Sequence, residues 1–278
     1  MTLVATFLIA AVVVAAAALA YAWYEAGWLR RRVLEVPLAG LPAELEGLRI
    51  AHLSDLHLGR RSRGEKAVER AVAWVAARRP DLVVVTGDLL SHPRGEPALR
   101  RLLQRLGQPY VVLGNHDVAV TRDPFSRNAS LRDLREAVLL RDASVVVEHR
   151  GRRILLAGVD PISYRERRAD PSRLSDPVAD LRILLCHFPA VVRSLPPGAF
   201  DIVLAGHLHA GQIVLPYPGG KVTLAHPRAR EVNGLYASPG GTLHVSPGLG
   251  TVFVPFRFFA RPEVTELVLV PGHPHAWK

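Results

Sequence analysis

The chain opens on an uninterrupted apolar run and then changes rhythm. From Leu3 to Trp23 there is no charged residue, and Thr6 is the one clearly polar side chain, which fits the roughly 20 residues a helix needs to cross a hydrocarbon layer. The pattern predicts one transmembrane helix, with residues 1–32 as an anchor and its basic flank. Residues 33–47 (VLEVPLAGLPAELEG) mix prolines and glycines without a sustained period. They predict a lead-in that packs loosely or forms an edge strand, and a folded domain is expected over 48–278.

From Leu48 onward short apolar runs alternate with amphipathic stretches. Strands are expected at LRIAHLS, DLVVVTG and PYVVLG, with helices over 65–78 and 97–106, an alternation that indicates an α/β protein. After a further helix expected over 131–140, the strands crowd together: SVVVEH, RRILLAGV, LRILLCH, DIVLAGH, TLHVS and VTELVLV. The pattern suggests a core of two sheets with helices outside, although periodicity alone does not separate that from a single mixed sheet. Residues 216–241, with four prolines and five glycines, read as a long loop or irregular hairpin.

Tyr21, Trp23, Tyr24 and Trp28 gather at the end of the apolar run and Arg30-Arg31-Arg32 follow at once. Aromatic rings favour the headgroup level, and basic residues favour the cytoplasmic side. A secretory signal would carry its positive charges before the apolar stretch; here they come after it. A retained single-pass anchor with a cytoplasmic domain is therefore expected, ahead of a cleaved signal or a buried core helix.

Composition narrows the chemistry. With 278 residues and 49% hydrophobic content the chain can bury a full core. Its single cysteine, Cys186, excludes an intramolecular disulfide and any multi-cysteine zinc site. The net charge of +10 comes from scattered arginines, only Lys66, Lys221 and Lys278 being lysines. That fits attraction to phosphate or an anionic surface, or a bland Ala/Arg/Pro/Gly-rich composition, better than nucleic acid as the partner.

Ligand-type residues follow the expected strands in five groups: Asp55-x-His57, Gly87-Asp88, Gly114-Asn115-His116-Asp117, His187 and Gly206-His207-x-His209. Strand ends in such architectures converge on one rim, so groups far apart in sequence can meet there. Singly, each could be ordinary turn chemistry; their joint occurrence is harder to obtain that way. Carboxylate, amide oxygen and imidazole without thiolate suit Mn²⁺ first, with Fe or Zn²⁺ as alternatives.

This ordered set resembles the signature of the calcineurin-like metallophosphoesterases. The resemblance implies a sandwich of two mixed sheets flanked by helices and a centre of two divalent metal ions. One ion would be held by Asp55, His57, Asp88 and His209, the other by Asp88, Asn115, His187 and His207, with Asp88 bridging. It also implies attack by hydroxide formed from a bridging water. His116 would then stand beside the leaving group as a catalytic residue, with Asp117 orienting its ring.

The other histidines, at 52, 92, 149, 226, 244, 273 and 275, match no position of the signature. Arg60, Arg61 and Arg63 could meet a substrate phosphate or anionic lipid, or form a solvated run. Within 251–263 four phenylalanines accompany two arginines, a combination that suits either a membrane interface or acyl chains, or else a core strand and packed turn. The layout, an N-terminal anchor, then Ser54-Asp55-Leu56-His57-Leu58-Gly59, then Gly248-Leu249-Gly250-Thr251 followed by Pro255-Phe256-Arg257 and Arg261-Pro262-Glu263, is similar to the bacterial membrane-associated branch of the family. Its members are associated with hydrolysis of UDP-2,3-diacylglucosamine in lipid A synthesis or with phosphodiesterase activity. A lipid-linked phosphodiester or pyrophosphate at the bacterial inner membrane is the substrate this implies. A tethered phosphodiesterase or nuclease with a soluble substrate, and a non-catalytic binding module, are the alternatives.

Overall fold

The computed structural model describes residues 3–127, 131, 133–229 and 231–272; His273, His275 and Lys278 lie outside them. The apolar run is one helix, α1 (Leu3–Glu25), long and apolar enough to cross a membrane and exposed along its shaft. Residues 26–29 separate it from β1 (Arg30–Leu38). The basic run is thus the start of a strand, where Arg30 and Arg32 lie 3.6 and 4.0 Å from buried Glu263.

The strands that follow are β2 (Arg49–Leu53), β3 (Leu82–Thr86), β4 (Tyr110–Val112), β5 (Val138–Leu139), β6 (Ala143–His149), β7 (Arg152–Gly158), β8 (Leu181–Leu185), β9 (Ile202–Ala205), β10 (Val214–Tyr217), β11 (Gly220–Thr223), β12 (Gly234–Tyr236), β13 (Thr242–Val245) and β14 (Glu263–Pro271). They form two mixed six-stranded sheets, ordered β1-β14-β2-β3-β4-β5 and β12-β13-β9-β8-β7-β6. The strands β2, β3 and β4 run parallel, as do β7, β8, β9 and β13. Buried on both faces, β3 and β8 read as near-continuous apolar runs. The separate hairpin β10–β11 accounts for part of the proline- and glycine-rich segment.

Ile50, Val84 and Val112 of the first sheet meet Ile154, Ile183 and Leu204 of the second in the central core. The outer face of the first sheet is covered by α2 (Gly64–Arg78) and α3 (Glu96–Leu106). Both helices follow from their spacing: Val68, Ala71, Val72 and Val75 make one buried face, Leu99, Leu102, Leu103 and Leu106 the other. Gly107 ends α3 in the left-handed conformation at φ 72°.

The helix expected over 131–140 is a correction. The described residues there form a turn and then β5, which pairs with β4; residue 132 is outside them. The apolar spacing is satisfied without a helix because Leu131 and Leu134 dock in the core against α3's sheet face. The backbone of Val138 and Leu140 instead bonds to Pro109 and Val111 at 3.0 and 2.8 Å, so pairing at an open sheet edge outweighs helical propensity.

Candidate metal centre

Asp55 and His57 follow β2, Asp88 follows β3, Asn115 to Asp117 follow β4, His187 follows β8, and His207 and His209 follow β9. These are the carboxyl ends of parallel strands in both sheets, so all the expected site residues meet on one rim. Asp55, His57, Asp88, His207 and His209 all have positive φ, between 47° and 72°. Strained backbone of this kind costs of order 1–3 kcal/mol per residue and persists only where surroundings enforce it. The chain is packed tightly against these residues: a Cβ at Gly114 would strike the Asp88 carboxylate, and one at Gly206 would strike Ser54 and Asp55.

The donor atoms fall into two clusters that share Asp88. Asp55, His57, Asp88 and His209 present atoms within 4.8 Å of one another, and so do Asp88, His187 and His207. Asn115 joins the second cluster, its Oδ1 lying 3.2 Å from His187 Nε2. Nitrogen faces nitrogen at 3.2 Å between His57 and His209 and at 3.1 Å between His207 and His187. Imidazoles crowded against carboxylates with no other partner between them fit divalent cations.

Outer contacts orient the rings. His187 Nδ1 donates to the Thr86 carbonyl at 2.8 Å, leaving Nε2 to face Asp88 at 3.3 Å. His57 places Nδ1 on Ser91 Oγ at 2.8 Å and turns Nε2 toward Asp88. Such second contacts fix tautomer and orientation at metal-ligating histidines. Thr86 also organises a buried chain. Its hydroxyl donates to Ser54 Oγ at 2.8 Å and must accept from His52 Nε2, which leaves His52 Nδ1 to accept from His244 Nδ1 at 2.7 Å. Among the described residues His244 Nε2 has no hydrogen-bond partner.

Among the protein groups, burial opposes ionisation of Asp88, but His187 and its neighbours hold the carboxyl well below the usual range. Asp55 is likewise lowered, against burial, by His209. Burial disfavours a cationic His187, yet the adjoining Asp88 carries it up to about 9. Burial pushes His207 down to about 3 and lowers His57 and His116.

His116 lines the cavity with Nε2 3.0 Å from Thr121 Oγ1 and Nδ1 3.1 Å from Ser126 Oγ. The expected support from Asp117 is a second correction. Its carboxylate accepts from the backbone amides of Leu89, Leu90 and Gly114 at 2.8–3.2 Å, bracing the two loops that carry Asp88 and Asn115. Three converging amides give the side chain a more compelling partner than the adjacent ring. Burial and the nearby Asp88 push Asp117 up to about 7.

The cavity of about 520 Å³ is lined by Asp88, Asn115, His116, His207 and His209, and also by Arg122, Arg165, His226 and Phe253. Spacing does not identify these last four: Arg122, His226 and Phe253 come from loops and Arg165 from the end of a short helix (Pro161–Arg165), none with a ligand pattern. Arg257, one of the two arginines beside the phenylalanines of 251–263, lies inside the protein rather than at an interface. It is fully buried and donates to the carbonyls of Pro247, Gly250, Ala260 and His209 at 2.7–3.3 Å, with Nη2 3.3 Å from His209 Nδ1. Arg60 pairs with Asp123 at 3.1 Å and Arg63 lies over Tyr24. His92 accepts from Arg94 in a turn away from the cavity lining.

Two carboxylate-sharing donor clusters on the rim of a two-sheet sandwich define a metal-dependent phosphoester hydrolase. Residues 48–211 match the calcineurin-like phosphoesterase family, and the chain belongs to it; the family is dinuclear and metal-dependent. The chain is 30% identical over 234 residues to the metallophosphoesterase YkoQ of Bacillus subtilis, covering 81% of this chain and 84% of the relative. It is 33% identical to a transmembrane protein with metallophosphoesterase domain from Danio rerio, over 85% of this chain and 56% of that protein. It is also 27% identical to the UDP-2,3-diacylglucosamine pyrophosphatase LpxG of Chlamydia muridarum, over 91% of this chain and 93% of the relative.

Proposed function

We propose that the chain is a single-pass membrane enzyme that hydrolyses a phosphodiester or pyrophosphate bond in a lipid-linked substrate, of the kind UDP-2,3-diacylglucosamine represents. The observation that carries the reaction is the position of Asp88, common to both donor clusters. Asp55, His57, Asp88 and His209 would hold one divalent cation and Asp88, Asn115, His187 and His207 the other, with Mn²⁺ the favoured metal. Such a pair supplies positive charge for the phosphoryl oxygens and makes hydroxide available from water near neutral pH.

The protein's own groups do the rest. Arg122 and Arg165 on the cavity wall offer guanidinium groups to phosphate oxygens. His116, on the same wall, would give a proton to the departing oxygen, with Thr121 and Ser126 at its ring nitrogens. The likeness to LpxG and the apolar α1 support the lipid-linked substrate. Arg30, Arg31 and Arg32, a few residues beyond α1, support a cytoplasmic domain at the bacterial inner membrane.

The test is turnover by the purified full chain with Mn²⁺ on three substrates: a chromogenic phosphodiester, UDP-2,3-diacylglucosamine in detergent micelles, and a simple phosphomonoester. Fastest turnover of the diacylglucosamine compound is expected. A higher rate on the soluble diester, or on nucleic acid, would replace the lipid substrate, and no turnover of any with metal bound would overturn the enzymatic reading.

A further inference from the structure

The last turns of α1 are built into the loop that borders the metal centre. Glu25 is fully buried and accepts from the backbone amides of Phe259 and Ala260 at 3.0 and 2.6 Å. Arg257 donates its backbone amide to the Ala22 carbonyl at 3.1 Å. Tyr21 packs against Phe258 and Phe259 with ring centroids 5.5 and 5.8 Å apart, and Trp23 against Phe256 at 6.1 Å. A freely hinged tether would make none of these bonds.

The same loop is tied to the catalytic rim at its other end. The side chain of Gln212, three residues after His209, exchanges hydrogen bonds with the backbone of Val252 at 2.7 and 3.0 Å. The Phe253 amide donates to Asp123, itself paired with Arg60. Between these ties the loop turns apolar side chains outward: Phe253 is 46% exposed, Val254 38% and Phe259 55%. Phe253 and Phe259 have φ of 58° and 51°, a conformation costly for bulky residues. The fold thus holds two phenylalanines in strained backbone while leaving their rings in the open.

Water is a poor environment for that patch, and what adjoins it is apolar as well. The patch continues directly into α1, whose apolar side chains are exposed all along the shaft, Phe7 to 74%. Around the junction the cations sit on rings, Arg261 3.9 Å from the Trp28 centroid and Arg63 5.5 Å from that of Tyr24. Aromatic rings with arginine heads are the composition of the bilayer interface.

We infer that loop 252–260 and the end of α1 form one rigid membrane-seated unit, with Val254 and Phe259 in the headgroup–acyl boundary and the mouth of the metal cavity, at Phe253, held at the lipid surface. The inference rests on α1 being a membrane anchor, and it gives that anchor a second task. The cavity would receive a phosphoester from the plane of the bilayer, its acyl chains remaining in lipid beside Phe253. A soluble phosphoester gains nothing from this placement.

Depth-dependent quenching tests the inference without relying on catalysis. Single cysteines replace Val254, Phe259, Leu8 and, as an exposed reference, Val178, in the full chain in phosphatidylethanolamine–phosphatidylglycerol nanodiscs. Each is labelled with an environment-sensitive fluorophore, the native Cys186 being buried and protected from label. Labels at Val254→Cys and Phe259→Cys are expected to be quenched by shallow spin-labelled lipids at least about twofold more than the label at Val178→Cys, as for groups 5–10 Å into the boundary. The label at Leu8→Cys should respond most to deep spin labels. Quenching at Leu8→Cys with none at positions 254 and 259 would overturn the seated loop and leave the anchor standing. No quenching at any of them would overturn both.

Discussion

The backbone amide of His116 donates to Asp88 Oδ1 at 2.9 Å, while Asp88 Oδ2 lies 3.5 Å from His57 Nε2 and 3.3 Å from His187 Nε2. One oxygen is fixed by the loop that carries His116, and the other faces histidines of both donor clusters. The loop following β4 therefore orients the one carboxylate that both metal positions share.

Replacing Asp88 should remove more than one ligand's worth of affinity. Asp88→Asn keeps the shape and loses the charge, so metal-dependent turnover should fall by more than about 100-fold, the upper range for disturbing outer-shell partners alone. Metal content by mass spectrometry and rates on a chromogenic diester check it. Wild-type turnover in this variant would remove Asp88 from the centre.

His116 should separate from the ligands. Its side chain touches Thr121 and Ser126 rather than standing inside either cluster. His116→Gln is expected to retain both metals and lose about 10²–10⁴ in kcat on a substrate with a poor leaving group. The loss should shrink for p-nitrophenolate, which leaves without a proton. Equal losses for both leaving groups would contradict the acid role.

Asp117 makes the contrasting case. Its three amide contacts mean that Asp117→Ala leaves buried N–H groups unpaired, at about 1–3 kcal/mol each. The variant should therefore unfold at lower denaturant concentration, whereas any residual activity should keep the wild-type pH profile. A shifted acid limb with unchanged stability would restore the orienting role expected from the sequence.

The contrast shows what the sequence can and cannot disclose. Strand ends carrying Asp55, Asp88, His187 and His207 were legible because apolar runs announce strands, and the ligand types follow them directly. The destination of a side chain was not legible. Asp117 adjoins His116 in sequence, yet three amides of two loops, those of Leu89 and Leu90 on one and Gly114 on the other, capture it. The segment 131–140 has helical spacing and is taken by a sheet edge. The roles of Arg257 and Gln212 were not legible either, since they depend on carbonyls brought together only by the fold.

The buried His52–His244 pair predicts acid sensitivity. Burial lowers His52 to about 3 and His244 well below its ordinary value of 6.5. An unfolded chain would take up protons on both as pH falls below about 6.5, while the folded chain would not. The stabilising effect is complete above that pH and is lost as pH falls toward 3, by up to about 1.4 kcal/mol per pH unit for each ring. Denaturant unfolding of the double variant His52→Gln/His244→Gln should show a shallower loss of stability between about pH 6 and 4 than wild type. Parallel pH curves for the two proteins would contradict the neutral pair.

Paramagnetic resonance of the Mn²⁺-loaded full chain, with metal content measured on the same sample, tests the shared two-metal centre most directly. A carboxylate-bridged pair predicts about two Mn²⁺ per chain and an exchange-coupled multiline spectrum, collapsing in Asp88→Asn to the pattern of isolated ions. At most one Mn²⁺ per chain with an uncoupled six-line spectrum in the wild type would contradict it.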